Sequence, residues 1–192
     1  MKEYTVYQTL QDKENPDEVE RCGPYPCDWD NTWLGTGYYF WEAFEENAHW
    51  WGKKHCKNKY MIGSAIIELN DENCIDLYNN TDHMISFEKS IILMKKKKLI
   101  DDTTTVNRVL QYLRYKTDTF KYSAVRAEGT NSKLRDPNFI FTMKFENKST
   151  ATQFLDYKPA IQICAYDLSK LNFVAWRLIY PPKYTYDDSV FV

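Results

Sequence analysis

Charge of one sign is what the chain lacks first: 25 basic residues against 27 acidic ones leave a formal net charge of −2 over 192 residues. That balance removes any argument from the overall field for binding nucleic acid or a membrane surface. Long apolar runs are missing as well. No segment approaches the ~18 apolar residues of a membrane span, and Met1-Lys2-Glu3-Tyr4 does not open a signal-peptide core. The expectation is a soluble chain with no membrane partner, cytoplasmic unless another route delivers it to a target cell. The five cysteines (Cys22, Cys27, Cys56, Cys74, Cys164) are odd in number and scattered, which speaks against a disulfide framework. Cys22 and Cys27 have the spacing of half a zinc site, but no second pair stands at ligand spacing, so reduced thiols account for them better and no metal is expected. Internal repeats, a P-loop, a Rossmann fingerprint and a Ser/His/Asp set are also absent.

Aromatic residues are what the chain has in quantity: 15 Tyr, 10 Phe and 6 Trp. They favour strands and an aromatic-lined cleft, though many will pack the core of what should be one domain over residues 1–192. The densest stretch runs from Trp33 to Trp51. Gly35 and Gly37 make a turn that tolerates close approach of a ligand; Tyr38 to Trp41 follow as an aromatic run. Phe44, Ala48 and Trp51 then share one face of a helix expected over Ala43–Lys54. Such a segment reads as the floor of a site for a flat heteroaromatic ligand, or as an ordinary turn running into core. Spacing alone leaves both open.

Gly35-Thr36-Gly37-Tyr38-Tyr39-Phe40 followed by Asn47-Ala48 resembles the corresponding segment of ADP-ribosyltransferases of the diphtheria-toxin and poly(ADP-ribose) polymerase type. More closely, the chain is similar to a group of bacterial proteins sharing a Trp-Leu-Gly-x-Gly-x-Tyr-Phe-Trp-Glu segment. Pieces like Gly63–Leu69, Cys74–Leu77 and Ile161-Gln162-Ile163 extend that likeness over roughly residues 4–170. The resemblance implies NAD as substrate, with Tyr39 stacked on its nicotinamide beside Gly37 and Tyr38, and Asn47 and Thr9 holding its amide. It also implies that Gln8 stands where the family carries a ribose-binding His or Arg, and Gln162 where it carries the catalytic glutamate. Gln162 brings no negative charge to a developing cation, a contribution commonly worth several kcal/mol. Glu128 or Glu42 is then left as the source of a carboxylate.

Along the chain, Glu3–Leu10, Tyr60–Leu69, Cys74–Leu77, Tyr122–Ala127, Pro159–Asp167 and Phe173–Tyr180 read as strands. Thr81–Asp101 and Thr103–Lys116 carry helical patterns, the second capped from Asp101 or Asp102 and the Thr103–Thr105 cluster. Gln11–Asp30 reads as loop, punctuated by Asn15-Pro16, Gly23-Pro24 and Pro26. Residues 129–158 are polar and irregular, with a turn at Asp136-Pro137-Asn138, and Phe139 and Phe141 are candidates for recognising an acceptor. Lys95 to Lys98 read better as a solvated helix end than as a nucleic-acid contact.

The resulting expectation is an α+β fold with two packed, antiparallel-rich β-sheets around a cleft and flanking helices. The function that goes with it is NAD-dependent mono-ADP-ribosyl transfer by a bacterial or phage-related toxin or defence effector. Its macromolecular acceptor (protein or nucleic acid) is unspecified, and an antitoxin or immunity protein is a further partner. The substitutions at Gln8 and Gln162 favour a different class, an inactive member of the fold kept to bind a nucleotide or a partner protein. Simple NAD hydrolysis is a third reading.

Overall fold

In the computed structural model, which describes residues 2–118, 120–130, 141–148 and 153–185, the strands are organised about β1 (Lys2–Gln11). It pairs along its whole length with β3 (Tyr60–Leu69), antiparallel, from Lys2 opposite Leu69 to Gln11 opposite Tyr60. On its other side lies β2 (Tyr38–Glu42), the aromatic run, with Tyr7 opposite Trp41. Beyond β2 come β8 (Ala160–Ala165), then β5 (Ala124–Thr130), and last β4 (Cys74–Asp76), which runs parallel to β5. Strand β9 (Val174–Tyr180) borders β3, completing a seven-stranded mixed sheet in the order β4-β5-β8-β2-β1-β3-β9. A two-stranded ribbon, β6 (Thr142–Lys144) with β7 (Phe154–Asp156), stands apart from it.

The α+β class is therefore as expected, but the strands expected in two packed layers join edge to edge in one sheet. The helices α1 (Pro16–Cys22), α2 (Glu45–His55), α3 (Thr81–Lys96) and α4 (Val106–Lys116) pack around it. Alternation along each strand divides the side chains between two faces. On the first face Val6, Phe40, Ala65, Ile67 and Ile163 form a buried cluster closed by Leu171; each of these side chains larger than alanine contributes about 1.5–3 kcal/mol when removed from water. The second face carries two clusters. One, with Trp41, Ala48, Trp50 and Ile62, lies under α2; the other, with Leu34, Ile75, Leu110, Val125 and Cys164, lies beneath α3 and α4.

Helix α1 falls inside the expected loop. Its local signals are a proline in the first turn, acidic Asp17 and Glu18 beside it, and Arg21 in the last turn. What makes the turn worth forming is distant in sequence, for Val19 is buried against Met61 and Leu178. Helix α2 also turns differently from its apolar spacing: Phe44 is the residue before the helix, and the buried positions are Asn47, Ala48, Trp50 and Gly52. Thr105 caps α4 as its composition suggests, accepting the Arg108 backbone N–H. Phe139 and the Asp136–Asn138 turn lie outside the described residues; Phe141 packs on the α2 cluster. No described helix is long and apolar enough to cross a membrane, and no described group of His, Cys, Asp and Glu is placed to hold a metal ion.

Candidate functional site

The register decides which of the candidate side chains can meet. Tyr39 lies opposite Cys164 and Trp41 opposite Gln162, so Tyr39 and Gln162 share the second face, diagonal to each other across the β2–β8 pair. Thr9, two residues along β1 from Tyr7, is on that face too. Gln8 is not. Its side chain emerges on the first face, where Nε2 donates to the Tyr25 carbonyl at 2.8 Å and Oε1 accepts the Tyr25 N–H at 2.9 Å. Gln8 is thus a clamp for the segment that leads into the glycine turn, and the expectation that it meets a ribose beside Gln162 is corrected by the parity of the strand.

The residues expected to hold nicotinamide are likewise committed to the fold. Thr9 Oγ1 donates to the Ala48 carbonyl at 2.9 Å, and Asn47 Nδ2 donates to the Pro159 carbonyl at 3.0 Å, tying α2 to β1 and to the entry of β8. Tyr38 faces the first-face cluster. Gly37 is close-packed, since a Cβ there would stand 2.6 Å from the Ala165 carbonyl oxygen and 2.7 Å from Cys164 Sγ. Its lack of a side chain serves contact between β2 and β8 and leaves no room for a ligand. Glu42 is excluded as the missing carboxylate by its partner: Arg126 grips it through Nε at 2.5 Å and Nη2 at 2.8 Å.

Tyr39 has a different job from the one expected. Its ring packs with Leu34 and Cys164, and its hydroxyl accepts the Leu34 N–H at 2.8 Å while donating to the Gly35 carbonyl at 2.9 Å. Burial, and after it the neighbouring Cys164, raises its pKa well above the ordinary tyrosine value, so it stays a neutral donor. Tyr166 Oη donates to the Leu34 carbonyl at 2.6 Å, and Asn107 Nδ2 to the Thr32 carbonyl at 2.8 Å. The loop before β2 is stapled from three elements. What it carries, at the point of greatest constraint, is Trp33.

Trp33 overlooks a cavity of about 380 Å³ on the second face, whose walls come from the loop, α3, α4 and the ends of β5 and β8. Leu77, Met84, Phe87 and Val106 make it apolar; Glu128 and Gln162 are its polar members. Trp33 is 36% exposed, rests edge-on against Trp51 with centroids 5.9 Å apart, and lies over Gly129, where a Cβ would overlap its ring. The β5–β8 register slips between Glu128 and Thr130, a bulge of the kind that re-aims side chains beside sites. Gln162 is only 5% exposed, and its Oε1 is buried without a hydrogen-bond partner among the described residues. Leaving such an acceptor unmade costs about 1–3 kcal/mol. A group at a cavity floor that is held at that cost is the feature a ligand donor would satisfy.

Gln162 and Glu128 both line the cavity, although the register sets Ala127 opposite Gln162 and Glu128 opposite Ile161, beside the bulge; Gln8 is separated from Gln162 by the sheet. Trp33 and the helical wall of Met84, Phe87 and Val106 went unsingled. For Trp33 a signal existed, its place immediately before the Leu34-Gly35 turn. The helical wall left none, because apolar residues on an amphipathic helix look alike whether they fill a core or line a cavity. Comparison with protein-family models, with curated proteins and with solved structures gives no match, so what the cavity does has to be argued from its own geometry.

Proposed function

We propose that the chain is an NAD-dependent mono-ADP-ribosyltransferase whose reaction centre is the Trp33–Gln162–Glu128 cavity. The observation that carries this reading is Gln162, which lines an aromatic-walled cavity and whose buried Oε1 is unpartnered among the described residues. Its volume of about 380 Å³ falls within the range of small-molecule sites. In this reading a ribose hydroxyl donates to Gln162 Oε1, and Trp33, held by the Tyr39 staple, covers the flat nicotinamide. The Glu128 carboxylate supplies the negative charge that Gln162 does not, near the ribosyl carbon as its bond to the nicotinamide nitrogen lengthens. Neutral nicotinamide leaves with the bonding pair, the acceptor's nucleophilic atom forms the new bond to that carbon, and the acceptor's proton is released to solvent. The acceptor and the toxin or defence setting rest on the sequence resemblance alone.

A second reading, a nucleotide-binding module without turnover, is favoured by one specific observation. Gln8, the counterpart of the family's ribose-binding side chain, is occupied by Tyr25 on the opposite face. Two measurements on the purified chain separate the readings: calorimetric titration with NAD, and chromatographic detection of free nicotinamide. Release that disappears in Gln162→Met and Glu128→Gln supports the transferase. Binding without release, with release switched on by Gln162→Glu, establishes the module instead. No heat at millimolar NAD together with no release sinks both.

A further inference from the structure

Helix α3 is attached by one side only. His83 and Met94 are its buried residues, with Phe87 and Ile91 half-buried beside them. On the outer side, Ile85 and Ile92 are 47% and 58% exposed, one heptad apart. Leu99, past the end of the helix and after the positive-φ turn at Lys98, is 45% exposed. Leu99 joins this stripe to a groove of about 510 Å³ whose other walls are Arg108, Gln111, Tyr112, Tyr115 and Lys116 of α4. Tyr115 is 65% exposed. Exposed apolar residues on one helix face, with an apolar groove beside that helix's end, mark an interaction surface rather than scattered surface residues.

Charge and spacing identify the occupant. Lys89, Lys95, Lys96, Lys97, Lys98, Arg108 and Lys116 stand exposed on α3, α4 and the turn between them, against Asp82, Glu88, Asp101, Asp102 and Asp118 on the acidic side, on a chain whose net charge is −2. One of those acids is already engaged, Asp102 lying 3.6 Å from Lys95. The local field therefore has the opposite sign to the whole molecule. Ile85 and Ile92, one heptad apart on α3, give a partner helix an apolar line to lie against, with the groove at Leu99 taking an anchoring side chain from its end. Nucleic acid would use the lysines but has nothing to bury against Ile85, Ile92 and Leu99. A second copy of the chain would bring basic rim against basic rim.

We propose that the outer face of α3, with the Leu99–Tyr115 groove, is a docking site for an acidic amphipathic helix of a partner protein. The site is separate from the cavity on the sheet and stands or falls independently of it. The test uses the full chain and two labelled synthetic helices of about 21 residues, three heptads, with leucine at the seam and either glutamate or lysine flanking it. Fluorescence anisotropy should show saturable binding of the glutamate peptide, with the lysine peptide at least about tenfold weaker. Ile92→Asp and Leu99→Gln should each weaken the glutamate peptide by about tenfold. Melting should stay unchanged, because both side chains are exposed. Three results would overturn the proposal: no saturable binding of the glutamate peptide; equal binding of it by Ile92→Asp and the parent chain; or its displacement by a single-stranded oligonucleotide, which would make the surface a nucleic-acid site. A dimer in sedimentation that Ile92→Asp converts to monomer would also overturn it and assign the face to a second copy.

Discussion

The two faces of the sheet handle buried polar groups in opposite ways. On the first face Arg126, 5% exposed, is bracketed by Glu42 and by Asp76, whose Oδ1 and Oδ2 lie 3.1 and 2.9 Å from Nη1, with the Tyr4 and Tyr78 rings on either side. Burial alone would lower the arginine's pKa, but the hydrogen bonds and charges of Glu42 and Asp76 outweigh it and hold it above the ordinary value. Asp76 also accepts the backbone N–H groups of Tyr78 and Asn79. On the second face, Gln162 is equally buried and lines a cavity, and its acceptor has no partner among the described residues. A polar group whose partners are complete is explained by the fold it holds together. One whose partner is missing, at the floor of a cavity, is explained by something the cavity receives.

Breaking the first face should cost the most. Arg126→Met leaves Glu42 buried without its counter-charge and should destabilise the chain by about 3–5 kcal/mol in urea unfolding. Part of that loss should return in Arg126→Met with Glu42→Leu; if the single variant unfolds like the parent, the cluster is not structural. Gln162→Met should do the reverse. It removes an acceptor already unsatisfied, so stability should stay within about 1 kcal/mol of the parent or rise, while nicotinamide release should drop about a hundredfold. A large stability loss there would place Gln162 with Arg126 and erase the contrast.

Tyr39→Phe sharpens the comparison from the side of the loop. The ring is kept, yet the Leu34 N–H and the Gly35 carbonyl lose their partner. The expected cost is about 1–3 kcal/mol of stability together with a weaker hold on any ligand under Trp33. An unchanged melting curve with lost NAD binding would return Tyr39 to direct ligand contact. The smallest effect belongs to His55, stacked on Trp51 at 3.8 Å. Burial, and then the charge of Lys54, depress its pKa below the ordinary 6.5. As pH falls through that value the unfolded chain takes up the proton first, so stability present above it declines until the depressed folded value is passed. Melting temperatures measured between about pH 5 and 8 should fall on acidification, slightly less so in His55→Gln.

Much of the fold was legible locally. The alternation in Glu3–Leu10, the apolar run of Tyr60–Leu69 and the Pro181-Pro182 stop all lie within a few residues of the features they predict, and they reappear as β1, β3 and the end of β9. Helix α1 was hidden because its reason for existing, Val19 against Met61 and Leu178, spans distant parts of the chain. In the candidate site, Gln162 was named by the resemblance and Glu128 as a substitute carboxylate; that both line one cavity was decided by the pairing of β5 with β8 and its bulge. The roles of Tyr39 and Asn47 were misread, since a motif names a residue type without naming the groups that consume its hydrogen bonds.

The sequence by itself determined most of the longer secondary elements, the absence of a dominant charge and the place of the glycine turn ahead of an aromatic run. Only the tertiary structure decided which side of the sheet each side chain serves. Gln8 and Thr9 are neighbours in the chain, yet one clamps Tyr25 while the other holds α2 at Ala48. The physical reason is that a strand reverses its side chains at every residue, and the strand alone does not say which side will be core. That is fixed by register against partners as remote as β8, and by the helices that come to cover each face.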